Sequence, residues 1–373
     1  MDPIQGGAGT SLNMNANEVI ANRAIELLGG KKGDYRLVHP NDHVNLSQST
    51  NDVIPTAGKM TAIRLLMNLR LQMQCLFHEL ERKAEEFDHV IKMGRTQMQD
   101  AVPIRLGQEF RAYADAVKRG IGRIEDAIDE MRPVNMGGTA IGTGINAGKQ
   151  YLERIVPALN DVSGLELVQA ADLIDATQNL DPFVAVSSSI KTCAVTLSKI
   201  ANDLRLMSSG PRAGFGEITL PARQNGSSIM PGKVNPVIPE VVNQVAFNVI
   251  GNDMTISLAA EAGQLELNAF EPIIFYNLFQ SIDTLSFAVE TFTDNCVTGI
   301  KANEERCREL VENSVGIVTT LAPVVGYQRA ADIAKKALAQ GRTVREIILK
   351  EHVLEPEEVA KLLNIFEMTE PGV

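Results

Sequence analysis

The sequence is poor in cysteine. Its 373 residues include only Cys75, Cys193, Cys296 and Cys307, which lie far apart and form no C-x-x-C pair. Nothing in this spacing resembles a disulfide framework, a zinc site or a dithiol redox motif. We therefore expect a chain whose cysteines stay reduced, in the cytoplasm.

Positive charge is also scarce. Lysine and arginine number 35 against 46 aspartates and glutamates, which gives a formal net charge of −11. This balance argues against nucleic acid or an anionic membrane as the main partner. A protein of this charge that binds small anions has to use a few local donors.

The chain shows no mark of export or membrane insertion. Its first residues, MDPIQGGAGTS, contain no basic n-region and no apolar h-region, so we expect no signal peptide. We also expect no membrane span. The most apolar window, Ile273 to Val289, contains Asp283 and is interpreted as a buried helix.

What the sequence does contain is long helical periodicity. Two stretches, Pro236 to Gly263 and Ile273 to Val297, are apolar on nearly all sides and should be surrounded. With three amphipathic stretches they predict a mostly α fold, a bundle of five long helices whose core is completed by other subunits. The amphipathic stretches are marked by apolar residues at steps of three and four: Leu66, Leu69, Met73, Leu76 and Leu80; Leu106, Phe110, Tyr113, Val117, Ile121, Ile124, Ile128 and Met131; and Ile190, Cys193, Leu197, Ile200 and Leu204.

Three domains are predicted. Residues 1–50 are rich in Gly, Asn and Ser and suggest loops with one short helix, Asn15 to Leu28. Residues 51–299 form the central bundle, and residues 300–373 form a small helical C-terminal domain. The helices expected in that last domain are Glu304 to Ser314, Tyr327 to Gln340, Thr343 to Glu351 and Pro356 to Leu363.

Four loops share a composition rich in hydroxyl and amide side chains. The most distinctive, GSSIMPGKVNP at Gly226 to Pro236, suggests a phosphate-binding loop, but its glycine and hydroxyl spacing does not fit one. The others are Gly6 to Asn15, Ser47 to Asp52 and Gly94 to Asp100, each before a helical pattern. One such loop alone could be a helix N-cap. Four together favour an anion site.

The four loops resemble the signature regions of the aspartase/fumarase superfamily. The matching motifs occur in order: GAGTS-x-NMN-x-NEV, HPND-x-VN-x-SQS-x-ND, GRT-x-x-QDA-x-P-x-x-LGQE and GSSIMPGKVNP. The resemblance extends over essentially the whole chain. It implies a three-domain, mostly helical subunit in a homotetramer, with active sites shared by three subunits. It also implies that a longer segment precedes the GAGTS loop, so we expect the N-terminal domain here to be incomplete.

Within the family, the motifs resemble aspartases more than fumarases. Fumarases typically read QSSND and GRTH, whereas this chain has Thr50 and Gln97 at those places. The resemblance therefore implies reversible trans elimination of ammonia from L-aspartate to give fumarate, without a cofactor or a metal. The alternative is a class II fumarate hydratase acting on malate. An inactive structural protein of crystallin type is disfavoured, because Ser227 and Lys233 are both present.

The same matching implies a role for each site residue. Ser227 would be the general base, although it could merely bind substrate. The other residues would bind substrate: Thr10, Ser49, Thr50 and Ser228 at the β-carboxylate, Lys233 and Asn235 at the α-carboxylate, and Asn51, Thr96 and Gln97 near the amino group.

Two further motifs are not assigned to this site. His39 and His43 are spaced i, i+4, but Pro40 and the polar loop argue against a helical metal site. GTAIGTGINAG, at Gly138 to Gly148, has only a broken dinucleotide fingerprint and is interpreted as a turn.

Overall fold

The computed structural model describes residues 2–370, most of them helical. Five helices are long, as the periodicity predicts: α2 (Thr50–Glu86), α3 (Leu106–Glu130), α6 (Asp181–Met207), α7 (Val237–Glu261) and α8 (Glu271–Asn295). The shorter ones are α1 (Thr10–Leu27), α4 (Lys149–Ser163), α5 (Asp175–Gln178), α9 (Glu304–Asn313), α10 (Ala322–Val325), α11 (Tyr327–Gln340), α12 (Val344–Lys350) and α13 (Pro356–Leu362). The mostly α fold predicted from the sequence is confirmed.

The strands are short and pair two by two. An antiparallel hairpin joins β1 (Ile91–Thr96) to β2 (Gln99–Arg105). The remaining pairs have two residues a strand: β3 (Pro133–Val134) is parallel to β4 (Val168–Gln169), and β5 (Ile218–Thr219) is antiparallel to β6 (Lys301–Ala302). The stretch Gly94 to Asp100, interpreted from the sequence as a loop before a helix, is thus the tip of a hairpin.

Helix α1 begins five residues before the predicted start at Asn15. Asparagine has a poor helix propensity, so the Asn-rich stretch suggested a loop. Tertiary contacts overcome that preference. Asn13 and Asn17 are buried, and their side-chain amides both donate to Asn45 Oδ1, at 3.2 and 3.1 Å.

The chain divides into two compact units. Unit 1 comprises Met1–Met73, Arg119–Leu197 and Val242–Val289. Unit 2 comprises Gln74–Lys118, Ser198–Val241 and Glu290–Val373. The long helices contribute residues to both. The three-domain division proposed from the sequence stays a prediction.

One helix of the described chain is long and apolar enough to cross a membrane by length and composition, namely α6. The expectation that no window would qualify is therefore wrong by this criterion. In unit 1, Phe183, Val186 and Ile190 on α6 are fully buried at steps of three and four. That pattern is typical of a core helix.

In unit 2, the C-terminal helices pack onto the β1–β2 hairpin. Met93 of β1 is fully buried in a cluster with Leu321, Ile333 and Ile348. Gly94 continues the strand where a Cβ atom would lie 2.6 Å from the Val102 carbonyl oxygen. The hairpin is therefore held by its apolar base, and its turn is left exposed.

Candidate active site

Unit 1 carries four of the predicted site residues at the starts of two helices. Thr10 is the first residue of α1, and its hydroxyl donates to the Gly7 carbonyl at 2.7 Å. Gly9, just before it, has a left-handed backbone with φ of 84°. A side chain there would be strained, and its Cβ would lie 3.0 Å from Ile54. Glycine thus allows the GAGTS loop to pack closely against α2.

The N-terminus of α2 is stabilised by hydrogen bonds among its own first residues. The Ser49 hydroxyl accepts from the Asn51 N–H at 3.2 Å, and the Asp52 carboxylate accepts from the Ser49 N–H at 2.9 Å. Thr50 Oγ1 accepts from the Asn13 side chain at 3.1 Å, which leaves its hydroxyl hydrogen free to be donated. Hydroxyl donors at the positive end of a helix dipole suit a carboxylate.

Asn51 is fixed by a neighbouring turn. Its amide nitrogen donates to the Ala140 carbonyl oxygen at 2.8 Å. Ala140 belongs to the motif that the sequence suggested was a turn. The turn is confirmed, but its contact with Asn51 was not foreseen, because nothing in its sequence indicates a partner.

Unit 2 carries the hairpin turn. Gln97 and Met98 connect Thr96 to its partner Gln99, and both have positive φ, 53° and 63°. Two such residues define a type I′ turn, which normally prefers Asn and Gly. Non-glycine residues in this conformation cost about 1–3 kcal/mol each and cluster at functional sites. The strained turn presents Thr96 and Gln97, both exposed, at the hairpin tip.

Below this turn lies a buried charge network that the sequence did not reveal. Glu217 is fully buried and pairs with Arg95 at 2.7 Å and Lys92 at 3.5 Å. Lys92 also pairs with Glu109 at 2.9 Å. The Arg95 guanidinium stacks 4.1 Å above the Phe215 ring. The network anchors the strand that ends in Thr96.

A pocket of about 390 Å³ opens beside the same strand. Its lining includes Lys92, Arg95, Thr96, Met368 and Thr369. Beneath the network, burial and then the nearby Glu217 carboxylate together raise the pKa of the Cys307 thiol to about 12. Cys307 is therefore a neutral thiol at physiological pH.

The loop from Gly226 to Asn235 holds the predicted base. Ser227 Oγ accepts from the N–H groups of Ile229 at 3.3 Å and Met230 at 3.0 Å. Backbone donors of this kind favour the charged form of the oxygen they contact. The Asn235 side chain closes the loop by donating to the Gly226 carbonyl at 2.9 Å.

The cationic end of the loop lies in solvent. Lys233 and Ser228 are exposed, as are the apolar side chains of Ile229 (82%) and Met230 (48%). Within the described part of unit 2, no hydrogen bond joins Thr96 or Gln97 to this loop. The predicted roles of the site residues stay predictions.

Comparison with known proteins gives the family. A family model described as "Lyase" matches residues 1–251, and one described as "Fumarase C C-terminus" matches residues 317–370. Aspartate ammonia-lyase from Bacillus subtilis (strain 168) is 57% identical over 373 residues, all of this chain and 78% of the relative. Aspartate ammonia-lyase from Helicobacter pylori (strain 26695) is 55% identical over 371 residues, which cover 100% of this chain and 79% of the relative.

Two solved structures are also similar to this chain in sequence and fold. Fumarate lyase:delta crystallin from Brucella melitensis, bound to cobalt, superposes with a TM-score of 0.96 at 53% identity, covering 100% of this chain and 80% of that one. Recombinant class II fumarase from Schistosoma mansoni superposes with a TM-score of 0.95 at 36% identity, covering 100% of this chain and 81% of that one. The chain belongs to the aspartase/fumarase superfamily of lyases.

Proposed function

We infer that this chain is an aspartate ammonia-lyase, which converts L-aspartate reversibly to fumarate and ammonia. The observation that carries the inference is the set of relatives that bear this name. They are 51% to 57% identical and match over the whole of this chain. Gln97, where fumarases of the family have histidine, supports aspartate over malate. The class II fumarase likeness, at 36% identity, keeps fumarate hydration as the alternative.

The difficult step is removal of a proton from C3 of aspartate. Ser227, as an alkoxide, takes this proton, and the electron pair moves into the β-carboxylate to give an aci-carboxylate. The electron pair then returns from the aci-carboxylate to form the C2=C3 double bond, the C2–N bond breaks, and its electrons leave with the nitrogen as ammonia. Ammonia finally takes the proton from Ser227, so the base is regenerated and the products are fumarate and ammonium.

The charge that develops on the β-carboxylate needs donors fixed in advance. We assign this role to Thr10, Ser49, Thr50 and Ser228. The position of Ser49 and Thr50 at the start of α2 supports the assignment, because the helix dipole adds to their hydroxyl groups. Lys233 and Asn235 would hold the α-carboxylate. Asn51, Thr96 and Gln97 would surround the amino group.

The alkoxide of Ser227 needs stabilisation of its own. The N–H groups of Ile229 and Met230 already point at the Ser227 oxygen. They would lower the free energy of the alkoxide relative to the alcohol, and the Lys233 cation would add to this effect. Closure of the exposed loop over substrate would exclude water and strengthen both interactions.

We further propose a homotetramer with active sites shared by three subunits. One face of α7 supports association: Phe247, Ile250, Met254 and Leu258 recur at steps of three and four and are 41% to 64% exposed in the single chain. An apolar stripe of this length is typical of an interface. This chain covers one side of α7. Other subunits would cover the exposed side, so that the helix is surrounded as the sequence predicts.

A cytoplasmic location is also proposed. The cysteines at 75, 193, 296 and 307 are free, as expected of a reducing compartment.

The function is tested by supplying L-aspartate and measuring ammonia and fumarate together. An aspartate ammonia-lyase forms them in equal amounts. The Ser227→Ala variant, purified in parallel, controls for contaminating host enzyme. Fumarate without ammonia, or neither product, would contradict the proposed function.

A further inference from the structure

The segment after β3 is bonded to the start of α2. Residues 135–140, which we call the 135–140 segment, lie in unit 1 with α2's first turn. Four hydrogen bonds join them: Asn135 Nδ2 to the Asn51 carbonyl (2.9 Å), Asn51 Nδ2 to the Ala140 carbonyl (2.8 Å), and the N–H groups of Gly137 (3.2 Å) and Thr139 (2.9 Å) to one oxygen of Asp52.

The bond from Asn135 compensates for a proline. In an α-helix the Asn51 carbonyl would accept from the N–H of residue 55, but Pro55 has none. Asn135 supplies the missing donor. Its side chain is 2% exposed and also donates to Thr177 Oγ1 at 3.0 Å, so its orientation is fixed by partners on both sides.

The bond to Ala140 fixes which way the Asn51 amide points. A carbonyl oxygen can only accept, so the amide nitrogen of Asn51 must face Ala140. The amide oxygen then points away from Ala140 and remains an acceptor. An ammonium group has three donors and no acceptor, so an outward acceptor matches it.

The turn that provides this carbonyl is strained. Thr139 has φ of 55°, and a β-branched residue in the left-handed region is an outlier. It persists only where the surroundings hold it. Its N–H is held by the carboxylate of Asp52, which is fully buried. Strain of this kind is concentrated at functional sites.

We propose that Asp52 and the 135–140 segment position Asn51, so that its amide oxygen accepts a hydrogen bond from the substrate ammonium. This inference rests on the proposed function. Asn135 is the positioning residue that can be tested with least change of charge.

The test is steady-state kinetics of Asn135→Ala with L-aspartate, with succinate as a competitive inhibitor. Succinate has both carboxylates and no amino group, so it does not use the Asn51 oxygen. We expect kcat/KM for aspartate to fall about tenfold, the effect of losing one hydrogen bond to a charged group. We expect the succinate inhibition constant to stay within about threefold of wild type.

The matched control is Asn268→Ala. Asn268 is also buried in unit 1 (1% exposed) and bonds to backbone groups of Ala259, Ala260 and Phe270. It has no hydrogen bond to Asn51. We expect kcat/KM of this variant to stay within about threefold of wild type. An equal loss in both variants would show a general structural effect and overturn the proposal.

A double-mutant cycle gives a second, independent outcome. If Asn135 acts through Asn51, then Asn135→Ala costs less than about threefold when Asn51→Ala is already present. A full tenfold loss in that background, or a parallel loss of succinate affinity, would overturn the proposal. Should Asn135→Ala fail to fold, Asn135→Ser is used, since its hydroxyl is too short to replace the amide.

The two levels of inference fail differently. A wild-type chain that makes no fumarate from aspartate would overturn the proposed function. A wild-type chain that is active, with an Asn135→Ala variant of unchanged kcat/KM, would overturn only the positioning of Asn51.

Discussion

A Cβ atom at Gly226 would lie 1.8 Å from the carbonyl oxygen of Lys233. No side chain fits in this space, so Gly226→Ala must open the loop that carries Ser227 and Lys233. We expect aspartate turnover to fall at least about 100-fold, the usual value of a positioned base. The loop is largely exposed, so the thermal unfolding midpoint should change little.

The control for this variant is Gly148→Ala. Gly148 is the exposed residue just before α4, and a Cβ atom there would have nothing within 4 Å. We expect wild-type turnover. An active Gly226→Ala variant would show that the loop geometry is not required for the reaction.

Ser227→Ala should remove nearly all turnover and leave the fold intact. A general base contributes about 10²–10⁴ in rate. The backbone N–H groups of Ile229 and Met230 both donate to the Ser227 oxygen, which supports its role as the base. The measurement is fumarate formation, with circular dichroism to check the fold. Retention of more than about a tenth of the wild-type rate would mean that another residue is the base.

Glu271 makes stability depend on pH. Burial raises its pKa to about 8, and Lys59 opposes this rise. The native state thus keeps a proton that the unfolded chain releases above about pH 4.5, so the stability from this group is lost as pH rises towards about 8. Glu271→Gln cannot ionise and should remove a slope of up to about 1.4 kcal/mol per pH unit.

This prediction is measured by urea unfolding at several pH values. Glu266→Gln, which makes the same substitution at an exposed position, is the matched control. The free energy of unfolding of Glu271→Gln should vary less with pH than that of the control. Equal slopes in both variants would show that Glu271 is ionised in the native state.

The shared active site predicts complementation between inactive variants. Thr96→Val and Ser227→Ala should each be nearly inactive. When the two are unfolded together and reassembled, some hybrid tetramers would draw Thr96 and Ser227 from different, intact subunits. We expect aspartate turnover above that of either variant treated alone. If hybrid tetramers form and remain inactive, these two residues do not meet across subunits.

The long helices were predictable because their apolar residues repeat without interruption. Leu66, Leu69 and Leu76 on α2, for example, are all fully buried, as the pattern indicated. The hairpin was missed because its turn uses Gln97 and Met98 in place of Asn and Gly, the residues that mark such turns. Helix α4 was missed because Pro157 interrupts its pattern.

The candidate site was predictable only at the level of side chains. The loop motif indicated Ser227 and Lys233, because hydroxyl groups and a cation are visible in a sequence. The N–H groups that contact Ser227 are backbone atoms, which every residue has. The bond from Asn135 to the Asn51 carbonyl joins residues 84 apart in the chain. No local pattern could reveal this bond.

The most direct test of the account compares L-aspartate and L-malate as sources of fumarate. Each is supplied separately to the wild-type chain, and fumarate is followed by its absorbance. The account predicts fumarate from aspartate, with kcat/KM far above that for malate. Ready formation of fumarate from malate, with none from aspartate, would contradict it and identify a fumarate hydratase.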